Sequence, residues 1–327
     1  VFQFSMSICD LAPQYIRSIA PYQPGKPISE LAREFGLQES SIIKLASNEN
    51  PLGVSPKAQA AIRAVLDGLA LYPDGNGFEL KQALSWHLDV GMDQLVLGNG
   101  SNDVLELAAR AFLAPENSAV YAQHAFAVYP LVVQAMGCKG IEVPAKNFGH
   151  DLEAMARAVR ADTRVVFVAN PNNPTGTLAP AAEMERFIAV MPAHVLVVLD
   201  EAYNEYLRPE HRADTLSWLK KYPNLLITRT FSKVYGLAGL RVGYAVGSAG
   251  VADFLAGRAL EIMQRDRRRD HRIHGFVQIL HQGLAYPLHA RIMCRYRLSR
   301  EHGRDAPVLR KRHIDQKIVA GHTCDLE

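Results

Sequence analysis

Between residues 46 and 254 the hydrophobic positions fall into short, nearly unbroken apolar runs, each followed by a segment of sparser, helix-like periodicity. "QLVLG" precedes "NDVLELAARAF", "SAVYA" precedes "AVYPLVVQAMG", and "RVVFVAN" precedes "AAEMERFIAVM". "HVLVVLD" then precedes "TLSWLKKY", and "NLLITRT" and "RVGYAVG" close the series. Runs this short and this apolar predict strands buried on both faces, and the intervening segments predict helices. Strand alternating with helix predicts an α/β fold, a mostly parallel central sheet sandwiched by helices. In such sheets ligands collect beyond the carboxyl ends of the strands, so the polar residues that follow each run carry the chemical interest.

The flanking regions read differently. Residues 1–45 predict an extended Pro/Gly arm, "IAPYQPGKP", leading into a short helix, "SELAREFG", as part of a smaller domain beside a large domain at 46–254. From 255 to 327 the pattern stops, and "QRDRRRDHRIHGF" shows neither a helical nor an alternating period. Residues 256–327 carry 15 Lys+Arg against 8 Asp+Glu, although the whole chain is only +3. A basic stretch without aromatic platforms is a poor nucleic-acid binder. It reads instead as an aberrant Arg/His-rich tail, a change of reading frame near Leu255, which leaves the small domain incomplete. "VFQFS" ahead of Met6 reads as extra leader.

Composition narrows the class. At 327 residues, 48% hydrophobic and 21% charged, the chain can bury a large core. No apolar run approaches the roughly 20 residues that span a bilayer, and the start shows no signal-peptide pattern. No membrane or nucleic-acid partner is therefore expected. Cys9, Cys138, Cys294 and Cys324 form no metal-binding spacing, which predicts free thiols in a reducing cytoplasm and no metal.

The strand ends hold the candidate chemistry. "NGSNDVLEL" is a glycine-bounded turn opening a helix, an anion seat in which Ser101 and Asn102 add donors, or else an ordinary helix cap. "NPNNPTG" is a proline-stiffened turn whose amide is best presented by Asn173. "VLVVLDEAY" puts Asp200 at the end of a very apolar strand, where a carboxylate needs a cation or several donors, with Tyr203 three residues on. In "TRTFSKVYGLAGLRVGY", Lys233 follows Thr230 and Ser232, and Arg241 follows a glycine-rich loop. An amine becomes nucleophilic when burial or a neighbouring cation lowers its pKa. Anion seat, buried carboxylate, amide, phenol and lysine together meet the requirements of pyridoxal 5'-phosphate.

"ANPNNPTG", "DEAYNEY" and "TRTFSKVYGLAGLRVGY", in this order, resemble the fold-type I, class I/II pyridoxal-phosphate aminotransferases over roughly residues 6–254. "SIAPYQPGKPISELAREFG", "KLASNENPLGVSP" and "YPDGNGFELKQAL" resemble the histidinol-phosphate aminotransferases within that family. The resemblance implies that Lys233 carries the cofactor and moves a proton at the substrate Cα, while Asp200 pairs with the ring nitrogen. It implies that Asn173 and Tyr203 bond the ring oxygen, that Phe126 stacks on the ring, and that Ser101, Asn102, Thr230, Ser232 and Arg241 hold the phosphate. It implies a homodimer in which Tyr72 reaches the neighbouring subunit's cofactor, with Tyr22 and Asn50 touching substrate. The implied reaction moves an amino group between glutamate/2-oxoglutarate and the histidinol phosphate pair, in histidine biosynthesis. Because residues 256–327 match none of the family's small domain, two other readings stay open: an inactive product that keeps the cofactor domain, and a sister aminotransferase or decarboxylase of the same fold. None of the arginines in that stretch is assigned to substrate.

Overall fold

A computed structural model describes residues 8–21 and 25–259. The arm contributes α1 (Gln14–Arg17) and α2 (Ile28–Phe35), and α3 (Pro56–Ala64) and α4 (Phe78–Leu88) lead into the sheet region. There β1 (Leu95–Asn99), α5 (Ser101–Phe112), β2 (Ser118–Ala122), α6 (Val128–Ala135) and β3 (Lys139–Val143) follow in order. Next come α7 (Leu152–Ala158), β4 (Thr163–Ala169), α8 (Ala181–Ala189), β5 (Leu196–Asp200) and α9 (Thr215–Trp218). The described chain closes with β6 (Leu225–Thr230), β7 (Val242–Val246) and α10 (Ala249–Phe254), which runs on as a π-helical turn, Leu255–Ala259. The expected tail therefore begins, at its first five residues, as helix; residues 260–327 and Tyr22 lie outside the described residues.

The seven strands form one sheet in the order β1-β7-β6-β5-β4-β2-β3, parallel except that β7 runs antiparallel to both β1 and β6. The strand period of two divides the core between the faces. Along β4, Val166 and Val168 point into one cluster while Val165, Phe167 and Ala169 point into the other. Along β5, Val197 and Leu199 alternate in the same way with Leu196 and Val198. Leu80 and Leu84 of α4 with Met184, Phe187 and Ile188 of α8 cover the first face; Leu105 and Leu107 of α5 with Val132 and Val133 of α6 cover the second. With both faces covered, every strand residue can be apolar, and each fully buried Val or Leu contributes roughly 1.5–3 kcal/mol.

This topology gathers the candidate site residues at one edge. The parallel strands β1, β4, β5 and β6 all end there, at Asn99, Ala169, Asp200 and Thr230. Because β7 runs the other way, its first residues lie beside the last residues of its neighbours: Val242 pairs with Asn99 and Gly243 with Thr230. Arg241, one residue earlier, is thus delivered to the same edge. β3 was not among the expected strands. Its sequence, KGIEV, is largely exposed at the sheet's rim and lacks the apolar run that marks the others.

Candidate active site

At the centre of the edge, Asp200 ends β5 and is 5% exposed. One carboxylate oxygen, Oδ2, accepts the Tyr129 phenol O–H at 2.9 Å, and Oδ1 accepts the Ala202 N–H at 3.2 Å. Burial pushes its pKa up, and the bonds from Tyr129 and the Ala202 N–H pull it back.

Lys233 lies in the turn between β6 and β7. Its hydrogen bond is a long one, 3.4 Å to the Ser47 carbonyl, and the ammonium stands 5.5 Å from the centre of the Tyr203 ring. Burial lowers the amine's pKa, and the nearby Arg241 charge lowers it further, against the opposing pull of Asp200 and Glu49. A lowered pKa and a long hydrogen bond are the setting in which an amine can serve as a nucleophile. Tyr203 is fixed in turn by Asn48, whose Nδ2 donates to the phenol oxygen at 2.8 Å. Ser47 and Asn48 both have left-handed backbones, φ 72° and 50°. Such conformations cost about 1–3 kcal/mol each in unfavourable cases and collect at ligand sites.

An anion seat forms from three elements. Among the described residues no side chain caps α5, whose N-cap is Gly100 at φ 75°, and the positive end of the helix faces this edge. Arg241 arrives alongside and donates to Ser232 Oγ at 3.3 Å, to the Ala238 carbonyl at 3.1 Å and to the Asn99 carbonyl at 3.4 Å. All three acceptors are neutral, so the guanidinium charge has no carboxylate partner among the described residues. A Cβ on Gly100 would collide with that guanidinium, and one on Gly243 would collide with the backbone of Gly100 and Ser101. Ser101 is buried and Asn102 exposed at the start of α5. The Thr230 hydroxyl, at the same edge, accepts the Ser232 N–H at 3.1 Å and faces the Val242 carbonyl at 3.5 Å, shaping the lysine turn.

The two asparagines of the "PNNP" turn divide the work. Asn172 is buried, and its Nδ2 donates to the His124 carbonyl and to Thr175 Oγ1, both at 2.8 Å, closing the turn. Asn173 takes no part in those bonds and is half-buried beside it. The buried side-chain oxygens of Asn99 and Asn172 lack partners within the described residues. Phe126 packs edge-on against Tyr129, with ring centres 5.8 Å apart.

Asn50 ties the 46–54 loop to the lysine turn: Nδ2 donates to the Val234 carbonyl at 2.8 Å, and Oδ1 accepts the Leu52 N–H at 2.9 Å. Both ends of this amide, expected to touch substrate, are engaged within the chain. Tyr72 is 97% exposed. Sequence reasoning missed Tyr129, Asn48 and Ser47. A tyrosine three residues after Phe126 in an apolar helix looks like core, and nothing local marks Ser47 and Asn48 as lysine and tyrosine partners.

Comparison with known proteins agrees with this geometry. Residues 40–266 match the family described as "Aminotransferase class I and II". Histidinol-phosphate aminotransferase 2 of Nitrosospira multiformis is 67% identical over 250 residues, 76% of this chain and 64% of the relative. Histidinol-phosphate aminotransferase 1 of Thiobacillus denitrificans is 63% identical over 255 residues, 76% of this chain and 66% of the relative. The chain thus spans just under two thirds of the length of these relatives. The crystal structure of histidinol-phosphate aminotransferase from Sinorhizobium meliloti in complex with pyridoxal-5'-phosphate superposes with a TM-score of 0.72 at 27% identity, covering 88% of this chain and 73% of that one. Aspartate aminotransferase from Thermus thermophilus with maleate, at 21% identity and TM-score 0.69 over 89% of this chain and 76% of that one, shares the fold. With the family matched over most of its length and its motif residues gathered at one sheet edge, the chain belongs to the class I and II aminotransferases.

Proposed function

We propose that this chain binds pyridoxal 5'-phosphate and catalyses amino-group transfer between glutamate/2-oxoglutarate and the histidinol phosphate–imidazole-acetol phosphate pair. The observation that carries the reading is Lys233: a weakly bonded amine of lowered pKa, flanked by the buried carboxylate Asp200 and by the Arg241 guanidinium, which has no carboxylate partner among the described residues. The residues fit the cofactor group by group. Arg241, Ser232, Ser101, Asn102 and the uncapped start of α5 suit its phosphate. Asp200 suits its ring nitrogen, and Asn173 and Tyr203 suit its ring oxygen. Phe126 offers an aromatic face to the ring. When bound, the cofactor supplies an aldehyde and an electron-withdrawing ring, the chemistry that lets an amino group leave one substrate and join another.

The chain's own residues do the rest. Lys233 would hold the cofactor and, as an amine beside it, would move a proton at the substrate Cα. Asp200 keeps a proton on the ring nitrogen by presenting a charge. Asn48 and Ser47 hold Tyr203 and Lys233 in place. The curated relatives' names and the "APYQPGKP" arm, with Tyr22, support histidinol phosphate as the substrate. In this reading Tyr72, exposed here, serves the site of a second copy in a homodimer, the 46–254 segment is the large domain, and the enzyme works in the cytoplasm.

The test is an absorbance titration. Full-length protein is mixed with pyridoxal 5'-phosphate and then with L-glutamate. A band of lysine-bound cofactor that glutamate bleaches to the amine form supports the reading. A band that glutamate leaves untouched restricts the chain to cofactor binding, and no band at all refutes it.

A further inference from the structure

Tyr129, at the start of α6, is 0% exposed. Its ring stacks on Phe167 with centres 5.0 Å apart and planes 9° from parallel, while Phe126 meets it edge-on at 89°. Packing from both rings leaves the phenol no freedom to turn away. If filling space were its only task, phenylalanine would serve; a buried hydroxyl is costly unless bonded. The bond it makes is to Asp200 Oδ2, at 2.9 Å. Burial, followed by the charge of Asp200, raises the Tyr129 pKa well above the ordinary tyrosine value, so the phenol stays a donor at every working pH.

Asp200 is almost wholly buried, and it must be ionised to hold a proton on a ring nitrogen. The groups facing it are Tyr129 from α6, Thr228 from β6, its neighbours Glu201 and Tyr203, and Lys233 from the turn after β6. Glu201 opposes its charge. Tyr129 is first among the groups that favour it.

We propose that Tyr129 is a positioning residue acting through Asp200: its O–H fixes one carboxylate oxygen and keeps the carboxyl ionised, so that the ring nitrogen meets a charge and not an acid. This rests on the cofactor reading above. It joins the aromatic that would stack on the ring, Phe126, and the carboxylate that would pair with it into one packed unit.

The experiment measures the dissociation constant of pyridoxal 5'-phosphate for the full chain from about pH 5 to pH 9. The parent, Tyr129→Phe, Asp200→Asn and the double variant are compared. Loss of one hydrogen bond to a charged group raises a carboxyl pKa by about one unit. Tyr129→Phe should therefore begin to lose cofactor about one pH unit higher than the parent, reaching about tenfold weaker binding at the acidic end. In the Asp200→Asn background the same substitution should leave the pH profile unchanged. A weakening by the same factor at all pH, no change, or a shift that persists without Asp200 overturns the proposal.

A second readout needs no cofactor. The stability gap between each chain and its Asp200→Asn partner, followed against pH, reports where Asp200 ionises, and Tyr129→Phe should move that point upward. If the parent fails to bind the cofactor, the functional reading fails, while this profile still decides whether Tyr129 controls Asp200.

Discussion

Arg229 grips a single oxygen of Glu201 twice, through Nε at 2.9 Å and Nη2 at 2.7 Å, with both side chains buried. Burial works against the guanidinium charge, and Glu201 together with Tyr244 outweighs it, so Arg229 stays charged. The pair straps the end of β5, next to Asp200, to β6 four residues before Lys233. Removing one partner leaves an uncompensated buried charge. Glu201→Ala should cost about 3–5 kcal/mol in urea denaturation, and replacing both residues by apolar side chains of similar volume should cost far less. Equal losses in the single and double variants would show that the strap is not electrostatic.

Asp200 is a stability liability in the cofactor-free chain. Its folded pKa lies above the unfolded value because of burial. The sign follows: the protonated folded state is favoured, so this contribution is fully present below the unfolded aspartate pKa and lost as pH rises through the folded one. Asp200→Asn should therefore melt higher than the parent near pH 7, by about 2–4 °C for each kcal/mol relieved, and the advantage should vanish in acid. Thermal unfolding of cofactor-free protein at several pH values checks this.

Arg241 has two separable effects. Its guanidinium, bonded among the described residues to neutral acceptors, is placed to receive a phosphate, so Arg241→Gln should weaken cofactor binding about 10–100-fold. Arg241 also lowers the Lys233 pKa, second to burial. Its loss should move the pH dependence of covalent capture upward, because a more basic amine is deprotonated only at higher pH. Stopped-flow absorbance across pH separates the two effects.

Gly243 has no room for a side chain. A Cβ there would meet the backbone of Gly100 and Ser101, which cannot move without displacing the start of α5. Gly243→Ala should cost about 3 kcal/mol, the upper end of ordinary overpacking, and should weaken cofactor binding as well. Gly250→Ala, where a Cβ meets open space, is the control and should leave both unchanged.

Much of the sheet was legible because strands buried on both faces leave unbroken apolar runs, as in "RVVFVAN" and "HVLVVLD". β3 was not, since its side chains face solvent at the rim. Nor was the reversal of β7, which depends on a tertiary pairing and not on composition. The site was legible wherever a residue broke a local rule: a carboxylate ending an apolar strand, a doubled asparagine between prolines, a lysine in a tight turn. Tyr129 and Asn48 break no rule, and their importance comes only from what the fold sets against them. Asn50 carries a second task that its motif does not reveal: its amide ties the loop to the lysine turn.

The central claim is that Lys233 carries the cofactor. Borohydride reduction of the protein after incubation with pyridoxal 5'-phosphate, followed by proteolysis and mass spectrometry, tests it most directly. A single reduced phosphopyridoxyl adduct on the peptide containing Lys233, absent from Lys233→Ala, is the predicted result. Adducts spread over surface lysines, or unchanged in Lys233→Ala, would contradict the account.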